Sequence, residues 1–184
     1  MKLGWSVKSS RVAYRGRFPV IEDELIADLD GREHLYTYLG FKGSAVSVIA
    51  IEDDRILLVR EYRHPVDRIV TDLPTGSVSA GENPFDAAHR ELREETGYEA
   101  DGLFHLGGLI PVPALANLRV DYYVASALNY VGHERDDSEI MEVEWIESSL
   151  VLSRFETGDY IYGTLPHGLL LAERSGVLRK TQVE

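Results

Sequence analysis

Residues 76–98 read GSVSAGENPFDAAHRELREETGY, and this stretch decides the fold. It predicts a helix with a defined beginning and end, because Asn83 is a favourable N-cap, Pro84 is tolerated in a first turn, and Gly97 is placed to terminate it. Apolar side chains recur within the helix at helical spacing and form a stripe that faces a core. The stripe consists of Phe85, Ala88 and Leu92.

Three glutamates of this helix share a neighbouring face, because they lie at positions i, i+3 and i+4. They are Glu91, Glu94 and Glu95. Like charges at this spacing repel by roughly 0.2–0.5 kcal/mol per pair, and acids near the C-terminal end oppose the helix dipole. Something outside the helix must therefore compensate their charge.

The residues alone leave two interpretations of this acidic face open. The first is a solvated face of ion pairs, in which Arg90 pairs with Asp86 and Glu94 at four-residue spacing. The second is a divalent-cation site, because clustered carboxylate oxygens are the ligands that Mg²⁺ prefers.

The fixed positions around the acidic face resemble the Nudix box, G-x5-E-x7-R-E-U-x-E-E-x-G-U, in which U is a bulky apolar residue. Gly76 is followed after five residues by Glu82, and after seven more by residues 90–98. This resemblance to Nudix hydrolases favours the cation site. It also implies an α/β fold, with a mixed β-sheet in an α/β/α sandwich and a small N-terminal antiparallel β module.

Composition limits the classes of partner. A chain of 184 residues fits one domain, or one with a small appendage. The formal net charge of −12 argues against nucleic acid as partner, so an anionic substrate must be met by bound metal or by specific arginines. No apolar run approaches membrane-spanning length, and the N-terminus lacks a signal-peptide core. Without cysteine there is no disulfide framework, and a soluble cytoplasmic protein is expected.

The domain organisation predicted from the order of the elements has two parts. Residues 1–40 are expected to form the small β module, because short strand-like runs surround Asp30-Gly31, a strong hairpin signal. A weak boundary at 41–43 precedes a Nudix domain over residues 41–184. In that domain we expect strands at 45–51, 56–63, 70–73, 104–110, 120–128 and 141–146, and helices at 84–96, 148–155 and 166–174.

The resemblance also implies the chemistry of the box. In Nudix hydrolases the box binds Mg²⁺ or Mn²⁺ and hydrolyses a nucleoside diphosphate linked to a second moiety, and bridging cations neutralise the phosphate oxygens and activate water. By position, the metal ligands are Glu91, Glu94, Glu95 and the backbone carbonyl of Thr75, for two or more ions. Glu94 and Glu95 also count as catalytic.

Three further box positions are expected to support the metal ligands. Gly76 lets the backbone pass close to the site, because it has no side chain. Glu82 and Arg90 match positions that brace the box loop in the family.

Outside the box, the chain resembles the ADP-ribose and nucleotide-sugar pyrophosphatase branch of the family. The matching segments are residues 57–63 (LLVREYR), residues 72–76 (DLPTG) and Pro113. By this resemblance Arg63 binds substrate, the alternative being an exposed charge at a strand end.

Two other positions bear on substrate choice. Trp5 lies where some relatives stack adenine on an aromatic ring, although it could equally serve to pack the small module. Leu118 replaces a glutamate with which relatives contact substrate. We therefore expect ADP-ribose to be a substrate without an overwhelming preference.

The acidic loop at residues 134–139 is expected to supply the general base. Alignment on residues 141–145 places Asp137 at the base position and Glu139 beside it. The alternative is that these residues are loop charges that serve solubility.

The sequence thus predicts a Mg²⁺-dependent hydrolase that releases a nucleoside monophosphate and a sugar phosphate. One rival is a Nudix hydrolase of another substrate, such as a dinucleoside polyphosphate, FAD or a coenzyme. Another is a non-catalytic ADP-ribose-sensing domain, which the intact box carboxylates disfavour. We also expect a homodimer in which residues 1–40 are exchanged to build the partner's substrate site, because so small a module cannot bury a core of its own and relatives exchange it.

Overall fold

The computed structural model describes residues 4–27, 30–132, 141–157 and 163–178. The chain divides into two compact units. The first unit comprises residues 1–43 together with 110–119, and the second comprises residues 44–109 and 120–184. The sequence did not predict that residues 110–119 join the N-terminal unit.

A three-stranded antiparallel sheet forms the first unit. Its strands, in the order β1-β2-β3, are β1 (Trp5–Tyr14), β2 (Val20–Ala27) and β3 (Glu33–Leu39). β1 is one strand with two register shifts, between Val7 and Ser9 and between Val12 and Tyr14. Extended residues alternate between faces of a sheet. One face therefore carries ion pairs such as Lys8–Glu24, and the other carries the side chains of Trp5, His34 and Tyr36.

Residues 110–119 are bonded to the edge strand β3 and the residues that follow it. The Leu39 amide donates to the Leu115 carbonyl oxygen at 2.8 Å, and the Tyr36 hydroxyl donates to the Ala114 carbonyl oxygen at 2.8 Å. Asn117 accepts from the Phe41 amide at 2.6 Å and donates to its carbonyl oxygen at 3.1 Å. These long-range bonds are why a segment distant in sequence belongs to this unit.

The second unit contains a seven-stranded mixed sheet. Its strands are β4 (Ala45–Glu52), β5 (Arg55–Arg63), β6 (Arg68–Asp72), β7 (Thr75–Ser77), β8 (Tyr98–Leu109), β9 (Val120–Tyr130) and β10 (Met141–Glu147). The main order is β10-β5-β4-β9-β8, with β6 beside β5 and β7 beside β4, and among these described strands only β4 and β9 pair in parallel. β7 was not predicted, and β8 begins directly after the box helix rather than at residue 104.

The sheet separates into two halves where β4 and β5 stop pairing. β4 and β5 pair only at their hairpin end, through Ile51–Ile56 and Glu52–Arg55. Beyond that end β5 pairs with β6 and β4 pairs with β7. Leu73 and Pro74, both buried, therefore carry the chain from one half of the sheet to the other.

Helices cover both faces of the sheet, which confirms the predicted sandwich. α1 (Pro84–Thr96) has the predicted bounds: Asn83 Oδ1 accepts from the Asp86 amide at 2.9 Å, and Gly97 takes the left-handed conformation with φ of 76°. α1 packs on one face through Ala87, Ala88 and Leu92.

The other two α-helices in the described part of the chain extend slightly beyond their predicted bounds. They are α2 (Ser148–Thr157) and α3 (Thr164–Arg174). α3 lies close to the second face of the sheet, because a Cβ built on its Gly168 would come within 2.5 Å of Leu73 Cδ1 and 3.2 Å of Ile49 Cγ1. Among the described residues, none of the helices is long and apolar enough to cross a membrane.

Candidate active site

Arg90 contacts three glutamates of the box, Glu82, Glu91 and Glu94. Its Nε and Nη2 contact the two carboxylate oxygens of Glu82 at 2.9 and 3.0 Å, and Nη2 also donates to the Ser77 carbonyl oxygen at 3.0 Å. Glu82 in turn accepts from the Ser79 amide at 2.9 Å. The guanidinium and these bonds hold the pKa of Glu82 at about 2. Residues 77–82 are therefore fastened to the middle of α1, a role like the brace expected of Glu82 and Arg90.

The same guanidinium links two of the predicted metal ligands. Arg90 Nη1 lies 2.8 Å from Glu91 Oε1 and 2.8 Å from Glu94 Oε2. The expected pair with Glu94 is thus present. Asp86 instead receives a hydrogen bond from the side-chain amide of Asn83 at 2.5 Å.

The Glu91 side chain packs tightly against β7, where Gly76 lies. Only 9% of Glu91 is exposed. A Cβ built on Gly76 would overlap its carboxylate, so only glycine leaves room for this side chain. Burial raises the pKa of Glu91, and the neighbouring Arg90 partly opposes that shift. The carboxylate is therefore held in an environment that disfavours its charge unless a cation compensates it.

The Glu95 side chain contacts β7 at Thr75, the residue before Gly76. Its Oε2 accepts from the Thr75 amide at 3.0 Å. The Thr75 hydroxyl donates to the Leu73 carbonyl oxygen at 2.8 Å and lies 2.9 Å from Ser47 Oγ, so this backbone is fixed on two sides. The structure thus brings together Glu91 with Gly76 and Glu95 with Thr75.

These residues suit a hard divalent cation. The available donors are the carboxylates of Glu91, Glu94 and Glu95 and the backbone at Thr75, all of them oxygen ligands of the kind that Mg²⁺ and Mn²⁺ take. Within the described ranges, no three Asp, Glu or His side chains already stand together as a metal cluster. The buried charge of Glu91 is nevertheless what a cation would stabilise, so the donor set fits.

The remaining predicted site residues lie in different parts of the chain. Arg63, at the end of β5, is half-exposed and pairs with Glu61 at 2.8 Å. Trp5 is 46% exposed on β1, with its ring centroid 5.9 Å from that of His34. Leu118 lies partly buried in the 110–119 segment of the first unit. Asp137 and Glu139 fall outside the described residues.

A cavity in the N-terminal unit was not predicted. It has a volume of about 660 Å³, and its wall combines the aromatic rings of Phe18 and Phe41 with the cations Arg15, Arg17 and Lys42. Within the described ranges none of these three cations makes an ion pair, whereas three others of the same unit do so. Those three are Lys8, Arg11 and Arg32. The run Arg15-Gly16-Arg17-Phe18 was the sequence signal that could have marked this cavity.

The chain resembles known proteins in sequence. The NUDIX domain family matches residues 41–162. The ADP-ribose pyrophosphatase of Bacillus subtilis (strain 168) is 35% identical over 102 residues, which are 54% of this chain and 55% of that protein. The CMP-5'-(N-acetyl-N-hydroxy-3-aminopropyl)phosphonate hydrolase of Streptomyces rubellomurinus is 27% identical over 169 residues, covering 90% of this chain and 81% of the relative.

The fold has a close counterpart among solved structures. The crystal structure of an ADP compounds hydrolase superposes with a TM-score of 0.84 over 94% of both chains at 24% identity, which supports the fold assignment. With the Bacillus relative, by contrast, the match spans only about half of that protein's length.

Proposed function

The chain belongs to the Nudix hydrolase family, and from that premise we propose that it hydrolyses the pyrophosphate bond of ADP-ribose or a related nucleoside diphosphate sugar. The products would be a nucleoside monophosphate and a sugar phosphate. The observation that carries this proposal is the contact of the box carboxylates with the strand, Glu91 against Gly76 and Glu95 on the Thr75 amide. The intact carboxylates also disfavour a purely sensing domain.

A divalent cation is general in this family, and we propose Mg²⁺ or Mn²⁺, with two or more ions per site. Glu91, Glu94, Glu95 and the Thr75 carbonyl would hold them. Bound there, the cation would neutralise the diphosphate oxygens, polarise phosphorus and activate water. Arg90 would keep Glu91 and Glu94 oriented while Glu82 holds Arg90 in place, so the chain positions the ligands before substrate arrives.

We propose that Asp137 or Glu139 accepts a proton from the attacking water. The support is their place in the acidic loop before β10. A general base typically contributes about 10²–10⁴-fold to the rate. Asp137→Asn and Glu139→Gln should therefore be compared separately. If both variants keep kcat within about threefold of the wild type, the change is far smaller than the contribution of a general base, and neither residue accepts the proton.

The N-terminal unit is proposed to bind part of the substrate across a homodimer. Its support is the cavity in which Arg15, Arg17 and Lys42 form no ion pair with any described residue and lie beside the rings of Phe18 and Phe41, which suits an anion attached to a planar ring. The half-exposed Trp5 and the exposed Val7 on the adjoining sheet face offer apolar area for a second copy. Sedimentation of the full-length chain at micromolar concentration should give a dimer, and a monomer under these conditions would exclude the exchanged arrangement.

Substrate choice can be measured with a product-resolved panel. The panel comprises ADP-ribose, ADP-glucose, GDP-mannose, UDP-glucose, a CMP-linked compound, FAD and diadenosine polyphosphates with Mg²⁺. Leu118 offers no carboxylate to a sugar hydroxyl, and a lost hydrogen bond is worth about 0.5–1.5 kcal/mol. We therefore expect turnover of ADP-ribose within about one order of magnitude of the best nucleotide sugar. Cleavage of FAD or the dinucleotides alone would replace the proposed function with its rival.

A further inference from the structure

The two ends of the segment that bears Thr75 are fastened to different elements. Thr75 itself is held by Ser47 and Glu95 in the site. Three residues earlier, Asp72 Oδ1 accepts a hydrogen bond from the Leu73 amide at 2.8 Å. It also accepts one from the hydroxyl of Thr164, in the first turn of α3. Only Leu73 and Pro74 lie between these two anchor points.

Asp72 completes the N-terminus of α3 from a distant part of the sequence. The residue before the helix, Gly163, has no side chain to bond the free amides of the first turn. The Asp72 carboxylate takes that place, since it bonds the Thr164 hydroxyl and the Leu165 amide. Burial raises the pKa of Asp72, and these bonds oppose the shift. A half-buried acid is thus kept at this position by contacts with α3.

The intervening residues cannot easily absorb a displacement. Leu73 is 1% exposed and packs closely against Gly168 of α3. Pro74 is buried, has a restricted φ, and its carbonyl oxygen accepts from the Val48 amide at 2.9 Å. A shift of Asp72 away from α3 would therefore pass through two rigid residues to Thr75 and to the bond that Thr75 makes with Glu95.

We propose that α3, through Asp72, positions the Thr75 backbone for cation binding, so that Asp72 is a positioning residue for a site it does not touch. This inference rests on the proposed function, because it assumes that Thr75 and Glu95 hold the cation. Although α3 is distant in sequence from the box, it would thereby contribute to the geometry of the metal site.

The test measures Mn²⁺ binding to the full-length protein by titration calorimetry without substrate, so that the result does not depend on turnover. Residues that orient metal ligands typically contribute about 10–100-fold to metal affinity. Asp72→Ala is expected to weaken Mn²⁺ binding by about tenfold. Asp72→Asn retains the oxygen that accepts from both Thr164 and Leu73, and should restore most of the affinity. Thr164→Val should weaken binding less than Asp72→Ala.

The matched control is Leu169→Ala, which removes a buried side chain from the same helix without changing the contacts of Asp72. It should lower the midpoint of thermal unfolding and leave Mn²⁺ affinity unchanged. Equal loss of affinity in Leu169→Ala and Asp72→Ala, or unchanged affinity in folded Asp72→Ala and Thr164→Val, would overturn the positioning role. A wild-type chain that binds no Mn²⁺ would instead overturn the proposed metal site itself.

Discussion

Replacing Glu95 with glutamine is expected to lower kcat by about 100-fold or more while the fold survives. A bound cation is worth several kcal/mol of transition-state stabilisation, and each 1.36 kcal/mol is a factor of about ten in rate. Glutamine has nearly the same shape, and its carbonyl oxygen can still accept from the Thr75 amide that Glu95 now bonds at 3.0 Å. The substitution therefore removes the charge from a proposed ligand and leaves the local hydrogen bond.

The measurement is steady-state kinetics over a Mg²⁺ titration, with circular dichroism to confirm folding. Glu99→Gln is the matched control, because it removes one exposed carboxylate just beyond the same helix, where Glu99 pairs with Arg93 at 3.3 Å. Its kcat should stay near that of the wild type. Full turnover of Glu95→Gln in saturating Mg²⁺ would remove Glu95 from the metal site.

Gly76→Ala should be nearly as damaging, although it adds a single methyl group. The new Cβ would overlap the carboxylate of Glu91, which is buried and braced by Arg90 and so has little room to retreat. The carboxylate must leave its place for the methyl group to fit. We expect kcat/KM to fall by about 100-fold or more, the loss of a proposed ligand. β7 spans only three residues, so the sheet should persist.

A double-mutant cycle separates this steric effect from a general loss of stability. Glu91→Asp shortens the side chain by one methylene and should cost activity in the wild-type background. In the Gly76→Ala background it should cost less or partly restore activity, because the shorter side chain makes room for the methyl group. Gly163→Ala is the control, since a Cβ there meets open space. Strictly additive effects of the two substitutions would show that the contact between residues 76 and 91 is unimportant.

The sequence alone determined the box helix and the family. α1 begins and ends where Asn83 and Gly97 predicted, because capping bonds join residues only three or four positions apart. The Arg90–Glu94 pair was foreseeable for the same reason. Fixed spacing also sufficed to identify a Nudix box, which implied the mixed sheet and the sandwich.

The tertiary structure alone decided how distant segments meet. No pattern in the sequence indicated that residues 110–119 join the N-terminal unit, that Thr75–Ser77 forms a strand beside β4, or that Asp72 completes the first turn of α3. It also allowed an Arg90–Asp86 pair, which is replaced by the Asn83–Asp86 contact. The physical reason is that a cap or a four-residue ion pair is fixed by local backbone geometry. Pairing across a sheet depends instead on the order of all its strands, and residues 72 and 164 become neighbours only when that order is complete.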